Sequence, residues 1–164
     1  MKRLAAIAAL LLGFLGLTAG LTATAPAAHA GVQSPSAMAW GGSHAGNAAL
    51  NWAEGHAAGH WYSWGGVGPS VYDCSGLVYA AFKAEGITLP RVSYSMPSSS
   101  RLHYIPWQQA QRGDILVWGS ARSPSHVALK TAYPWTSFEA RNSGLRIWWM
   151  SYYYFRPVAA YRVW

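Results

Sequence analysis

The sequence predicts an α+β fold, with one or two helices first and a small antiparallel β-sheet after them. Three observations carry this. Apolar residues recur at helical spacing only early on, at Leu50, Ala53 and Ala57 and then at Cys74, Leu77, Val78, Ala81 and Phe82. At least four short segments of strand character follow one another afterwards, an order that favours segregated helices and strands. Pro134 and Pro157 fall between these segments, where turns and sheet edges accept proline.

Residues 1–30 read as a secretory signal. Lys2 and Arg3 form a positive start, residues 4–21 are apolar, and Ala28-His29-Ala30 gives a small-x-small cleavage site. Export to the cell surface or medium is therefore expected, with no stable membrane anchor and no lipid attachment, since no cysteine stands near the cleavage point. Residues 31–46 are rich in Gly, Ser, Ala and Pro and read as a flexible leader. Residues 47–164 are long enough for one compact domain, expected to be monomeric. The chain has 12 basic and 5 acidic residues. Two of the basic ones lie in the signal, so the mature part has 10 − 5, a formal +5. Such a charge suits an anionic partner or simply a solvated surface. No basic run or nucleic-acid motif accompanies it, and no nucleic-acid partner is expected.

Asn47–Ala58 is the first expected helix. His56 and His60 within and beyond it are four apart, but no Glu follows His56 as a zinc-protease helix requires, so they read as surface histidines. Trp61-Tyr62-Ser63-Trp64-Gly65-Gly66 leads through a Gly68-Pro69 turn into the second helix. Asp73 is its N-cap and Gly86 its C′ residue. A Ser-rich loop runs to about Arg101. Strands are expected at Ile115–Trp118, His126–Ala132, Ser137–Arg141, Leu145–Trp149 and Val158–Trp164. Trp148, Trp149 and Tyr152 to Phe155 read as strand and core aromatics, with a groove rim for a glycan-linked peptide as the other reading.

Cys74, the sole cysteine, stands in the first turn of the second helix. A lone cysteine in an exported chain is buried, paired with another chain, or reactive. The helix N-terminus favours the thiolate, which is the nucleophilic form. A nucleophile of this kind needs an imidazole within reach. Of the histidines, His126 alone opens a strand after a polar loop, whereas His44, His56, His60 and His103 lie in flexible, helical or loop sequence. Asp114 after Gly113 reads as a turn residue.

Five blocks in order make the chain recognisable: Tyr62-Ser63-Trp64-Gly65-Gly66, Asp73-Cys74-Ser75-Gly76-Leu77-Val78, Leu89-Pro90-Arg91, Arg112-Gly113-Asp114-Ile115-Leu116, and His126-Val127-Ala128. From about Asn47 to Trp164 the sequence resembles the NlpC-type family of papain-like cysteine peptidases, which act on bacterial cell-wall peptides. The resemblance implies a papain-like fold, with Cys74 as nucleophile and His126 as base. Tyr62 would lie beside the cysteine and help hold substrate or oxyanion, and Asp73 and Ser75 would shape the substrate pocket. The third catalytic position falls on Phe138-Glu139-Ala140, which makes Glu139 the candidate. Asn142 is its rival, and pairing of Glu139 with Arg141 or Arg146 on the surface is the bland alternative. The chain departs from the family around Met96, where a Gln is common, and at Tyr133-Pro134-Trp135, where a Gly-rich turn is usual.

The implied activity is hydrolysis of peptidoglycan stem peptides at the bond from the γ-carboxyl of D-glutamate to the diamino acid, with no metal or cofactor. The same triad would serve a cell-wall amidase or a lipid acyltransferase, and a non-catalytic wall-binding module is the remaining alternative.

Overall fold

The computed structural model describes residues 42–164, so the expected signal and most of the expected leader lie outside the described residues. Helix α1 (His44–Ala57) starts earlier than Asn47, because Ser43 caps it by accepting from the Gly46 amide. Its buried face, Ala49, Leu50, Ala53 and Ala57, packs on α2 (Cys74–Ala84) through Leu77, Val78, Ala81 and Phe82. Helix α2 ends at Glu85, followed by Gly86 at φ +74°. Between the helices β1 (Trp61–Tyr62) and β2 (Val71–Tyr72) form a short parallel pair, Tyr62 opposite Tyr72. Two residues a strand leave no periodicity to read, and the sequence gives no sign of this pair.

The remaining strands form one six-stranded sheet. They are β3 (Leu102–Ile105), β4 (Ile115–Gly119), β5 (Pro124–Lys130), β6 (Thr136–Glu139), β7 (Trp148–Ser151) and β8 (Ala159–Val163). Their order is β3-β8-β4-β5-β6-β7, every pairing antiparallel. The expected α+β arrangement, helices on an antiparallel sheet, is thus what forms. Side chains alternate between faces. Ile115 and Val117 of β4 join Val127, Leu129 and Phe138 in the main core with the helices, while Leu116, Trp118 and Ala128 join Tyr152 and Ala160 behind the sheet. Because β4 is buried on both faces, it reads as an unbroken apolar run.

Three expectations are revised. The Ser-rich stretch contains a 3₁₀ turn (Ser93–Ser98) and then β3, where His103 and Tyr104 are exposed and only Leu102 is buried, so no clean alternation announces a strand. The segment expected as one strand at Leu145–Trp149 divides its pairing. Leu145 accepts from the Tyr62 amide, Ile147 donates to the His60 carbonyl, and only Trp148 onward joins β6. The aromatics Trp148, Tyr153, Tyr154 and Phe155 are exposed, and of the Tyr152–Phe155 run only Tyr152 is core.

Candidate active site

The site is assembled where α2 begins. Asp73 caps the helix, its Oδ1 accepting from the Gly76 amide at 2.6 Å while Oδ2 accepts from the Gly65 amide at 2.9 Å. One carboxylate therefore ties the helix start to the Ser63–Gly66 turn that follows β1. Gly76 makes this approach possible: a Cβ there would stand 1.9 Å from the Gly66 carbonyl oxygen. Arg91 closes the arrangement, donating to both Asp73 oxygens at 3.0 and 2.8 Å, to Ser75 Oγ at 3.0 Å and to the Gly66 carbonyl at 3.1 Å. Asp73 and Ser75 are buried, with their polar atoms turned to Arg91, the turn and the helix. Burial alone would raise the Asp73 pKa, but Arg91 and the two amides outweigh it and hold the carboxyl below its ordinary value.

Cys74 is thereby fixed in the first turn, a free thiol partly exposed. Its sulfur accepts from the Val127 amide and interacts with the His126 side chain. Tyr62, set beside the helix start by the β1–β2 pair, packs at the same place. Burial raises its hydroxyl pKa, and the negative charges of Cys74 and Asp73 add to the effect.

His126 stands on β5 with its Nε2 2.6 Å from Glu139 Oε2. That leaves Nδ1 as the ring nitrogen for the thiol. Glu139 has 0% exposure, yet its charge is satisfied: Ser137 Oγ donates to Oε1 at 2.9 Å, and Arg141 donates to Oε1 at 2.8 Å and to Oε2 at 3.2 Å. The expected pairing with Arg141 thus exists, but around a buried carboxylate that also holds His126. Asn142 is exposed in the following turn. Trp118 backs the imidazole from β4, ring centroids 5.3 Å apart.

The electrostatics favour a thiolate–imidazolium pair. Burial pushes the Cys74 thiol up, but the hydrogen bond and charge of His126 and the Val127 amide pull it below its ordinary value. Burial alone would lower the His126 pKa. The hydrogen bonds to Cys74 and Glu139, with their charges, reverse this and push it up to about 9. Glu139, held by His126 and Arg141 against the cost of burial, lies below its ordinary value and stays ionised near neutral pH.

The NlpC/P60 family profile matches residues 59–154, from the end of α1 to beyond β7. The chain belongs to the NlpC/P60 family. The probable endopeptidase p60 of Listeria monocytogenes is 40% identical over 68 residues, which is 42% of this chain and 14% of that protein. The chain thus spans a small part of the curated relatives it matches. The NlpC/P60 domain of the peptidoglycan hydrolase SagA superposes with a TM-score of 0.62 at 29% identity, covering 70% of this chain and 96% of that domain. A resuscitation promoting factor interacting protein, RipA, has solved structures mutated at a histidine, at a cysteine and at a glutamate. The glutamate variant superposes at a TM-score of 0.62 and 29% identity, covering 73% of this chain and 61% of that one. The helices-on-sheet arrangement is the papain-like fold of these NlpC/P60 domains.

Cys74, His126, Glu139 and Tyr62 come together, with Asp73 and Ser75 beneath them. His56, His60 and His103 lie elsewhere. Among the described residues no group of three or more His, Cys, Asp or Glu is placed to hold a metal. Asp114, expected as a turn residue, is buried, its carboxylate gripping Arg162 of β8 at 2.7 and 2.9 Å. In the sequence Arg91 and Val127 stand out only as members of motifs, Arg141 only as a surface partner for Glu139, and Trp118 not at all. Arg91 was findable, as a cation within a block that also supplies Leu89 to the core. The others depend on which strands become neighbours.

Proposed function

We propose that this NlpC/P60 chain is an exported cysteine endopeptidase that hydrolyses peptidoglycan stem peptides at the γ-D-glutamyl–diamino acid bond. The observation that carries the reading is the relay itself: a helix-capped thiol against one nitrogen of His126, and Glu139 2.6 Å from the other. The Cys, His and Glu types mutated in RipA lend it support.

The Cys74 thiolate adds to the scissile carbonyl, forming the S–C bond. The Cys74 amide at the helix head and the Tyr62 hydroxyl stabilise the oxyanion. As the C–N bond breaks, the His126 imidazolium gives its Nδ1 proton to the leaving amine. His126, now neutral, takes a proton from water as the hydroxyl adds to the thioester, and Cys74 departs as thiolate. Glu139 fixes the ring and stabilises the imidazolium throughout.

The test is digestion of purified cell wall by the wild type and by Cys74→Ala, with products identified by mass. The wild type is expected to release peptides with a new amino terminus on the diamino acid. The variant should be folded and slower by on the order of 10⁴-fold. Products cut at the sugar–peptide junction would make the enzyme an amidase, and transfer of acyl groups from lipid would make it an acyltransferase. Near wild-type digestion by folded Cys74→Ala would remove the mechanism.

A further inference from the structure

A cavity of ≈ 670 Å³ lies between the Ser93–Ser98 turn, β3, β8 and the β4–β5 loop. That volume falls in the roughly 300–1,000 Å³ range of small-ligand sites. Its walls include Tyr94, Leu102, Tyr104, Arg122 and Tyr161. None of the residues that form the relay lines it, so what it holds is a group remote from the bond being cut.

The walls are tied to the catalytic machinery. The 3₁₀ turn follows closely on Arg91, which grips Asp73 next to Cys74. Ser93 Oγ donates to the Pro124 carbonyl at 2.9 Å, on the strand that carries His126. Tyr161 donates its hydroxyl to the Ala121 carbonyl at 2.7 Å and thereby anchors the loop that presents Arg122.

Among the described arginines only Arg122 and Arg101 lack a carboxylate partner, a side-chain hydrogen bond and an aromatic face, and of the two only Arg122 lines the cavity. Arg91, Arg112, Arg141 and Arg162 each pair with a carboxylate, Arg156 is stacked over Trp135 and its neighbours, and Arg146 lies over Trp61. Arg122 has no carboxylate partner and donates no hydrogen bond among the described residues, and neither do the Tyr94 and Tyr104 hydroxyls. No acidic side chain lines the cavity. A guanidinium with two phenol donors and tyrosine ring faces is a receptor for a planar anion on an organic frame, a carboxylate above all.

We propose that this cavity is an anion subsite that holds the carboxy-terminal carboxylate of the peptide substrate. The inference rests on the peptidase reading for the identity of the peptide, though not for the presence of the subsite. It is tested by calorimetry on the full chain carrying Cys74→Ala, which binds without turnover. The probes are a synthetic stem tetrapeptide with a free carboxy terminus and the same peptide amidated there. The free acid is expected to bind on the order of tenfold more tightly. Arg122→Gln, a change at an exposed loop position, should abolish the difference while leaving the amide's affinity unchanged. Tyr104→Phe should reduce it in part. Equal binding of acid and amide, or a preference that survives Arg122→Gln, overturns the proposal. So does binding of poly(glycerol phosphate) through Arg122 without binding of the peptide acid, which would assign the cavity to a wall phosphate polymer. A carboxylate preference in a wild type that cuts no wall peptide would remove the peptidase reading and leave the subsite standing. Cutting without the preference would do the reverse.

Discussion

His126 is the group on which the chemistry turns, and its two neighbours act on it in the same direction. With Glu139 at one nitrogen and the thiol at the other, its pKa rises to about 9 despite burial. The imidazolium is therefore the form present at neutral pH, ready to protonate a leaving amine, while the same interaction keeps Cys74 as thiolate. This fixes the shape of the pH–rate profile. On the alkaline side kcat/KM should fall with an apparent pKa of about 9, as His126 loses the proton it must donate. Glu139→Gln keeps the size of the side chain but removes the charge that raises His126. The alkaline limb should then move to lower pH, and the rate at neutral pH should drop on the order of 10²-fold. Initial rates on a soluble stem peptide from pH 5 to 10 give both values. An unmoved alkaline limb in Glu139→Gln would reduce the relay to Cys74 and His126 alone.

The start of α2 works only because the turn after β1 lies against it, and one glycine permits the contact. A Cβ at Gly76 would sit 1.9 Å from a backbone oxygen that is itself accepting from the Asp73 amide and from Arg91. No rotamer relieves a clash with backbone, so Gly76→Ala must push the turn away and loosen the Asp73 bonds to Gly65 and Arg91. A loss of about 1–3 kcal/mol is expected from overpacking. It should appear as a lower urea midpoint at unchanged slope. Because Tyr62 directly precedes the turn, activity should fall more than the loss of folded protein accounts for. The sequence made much of this element legible. The Asp73 cap, the apolar stripe and the glycine past the end are local signals, and local signals set where α2 begins and ends. The strand carrying Glu139 was legible for the same reason, since its alternation puts Glu139 opposite Phe138. Hidden were the features that need a distant partner: the β1–β2 pair, β3 paired only along its edge with β8, and the divided pairing of Leu145–Trp149. Arg91 on Asp73 belongs with these, because nothing near Arg91 says which carboxylate it will meet, whereas Arg141 was a named partner of Glu139 and only the burial of that pair was hidden.

Across the whole molecule the acidic residues are few, and their placement governs stability against acid. Of the 5 carboxylates in the chain, Asp73, Glu139, Asp114 and Glu54 each hold an arginine, and three of these pairs join separate elements. Asp73 links α2 to the segment after it, Asp114 links the start of β4 to β8, and Glu54 links α1 to Arg112. Asp73 and Glu139 have folded-state pKa values below their ordinary 3.8 and 4.5. For a depressed acid the stabilisation is present above the unfolded value and is lost as pH falls through the folded one. In that range the unfolded chain binds more protons, so the free energy of unfolding rises with pH. Protonation also leaves the arginines uncompensated in a chain whose formal charge is already +7. Urea unfolding at a series of pH values should therefore find a steep decline in stability below about pH 4. Asp73→Asn should be less stable at neutral pH and show a shallower acid decline, since it removes one of the two depressed groups. A decline equally steep in Asp73→Asn would mean that general charge repulsion, rather than this pair, sets the acid limit.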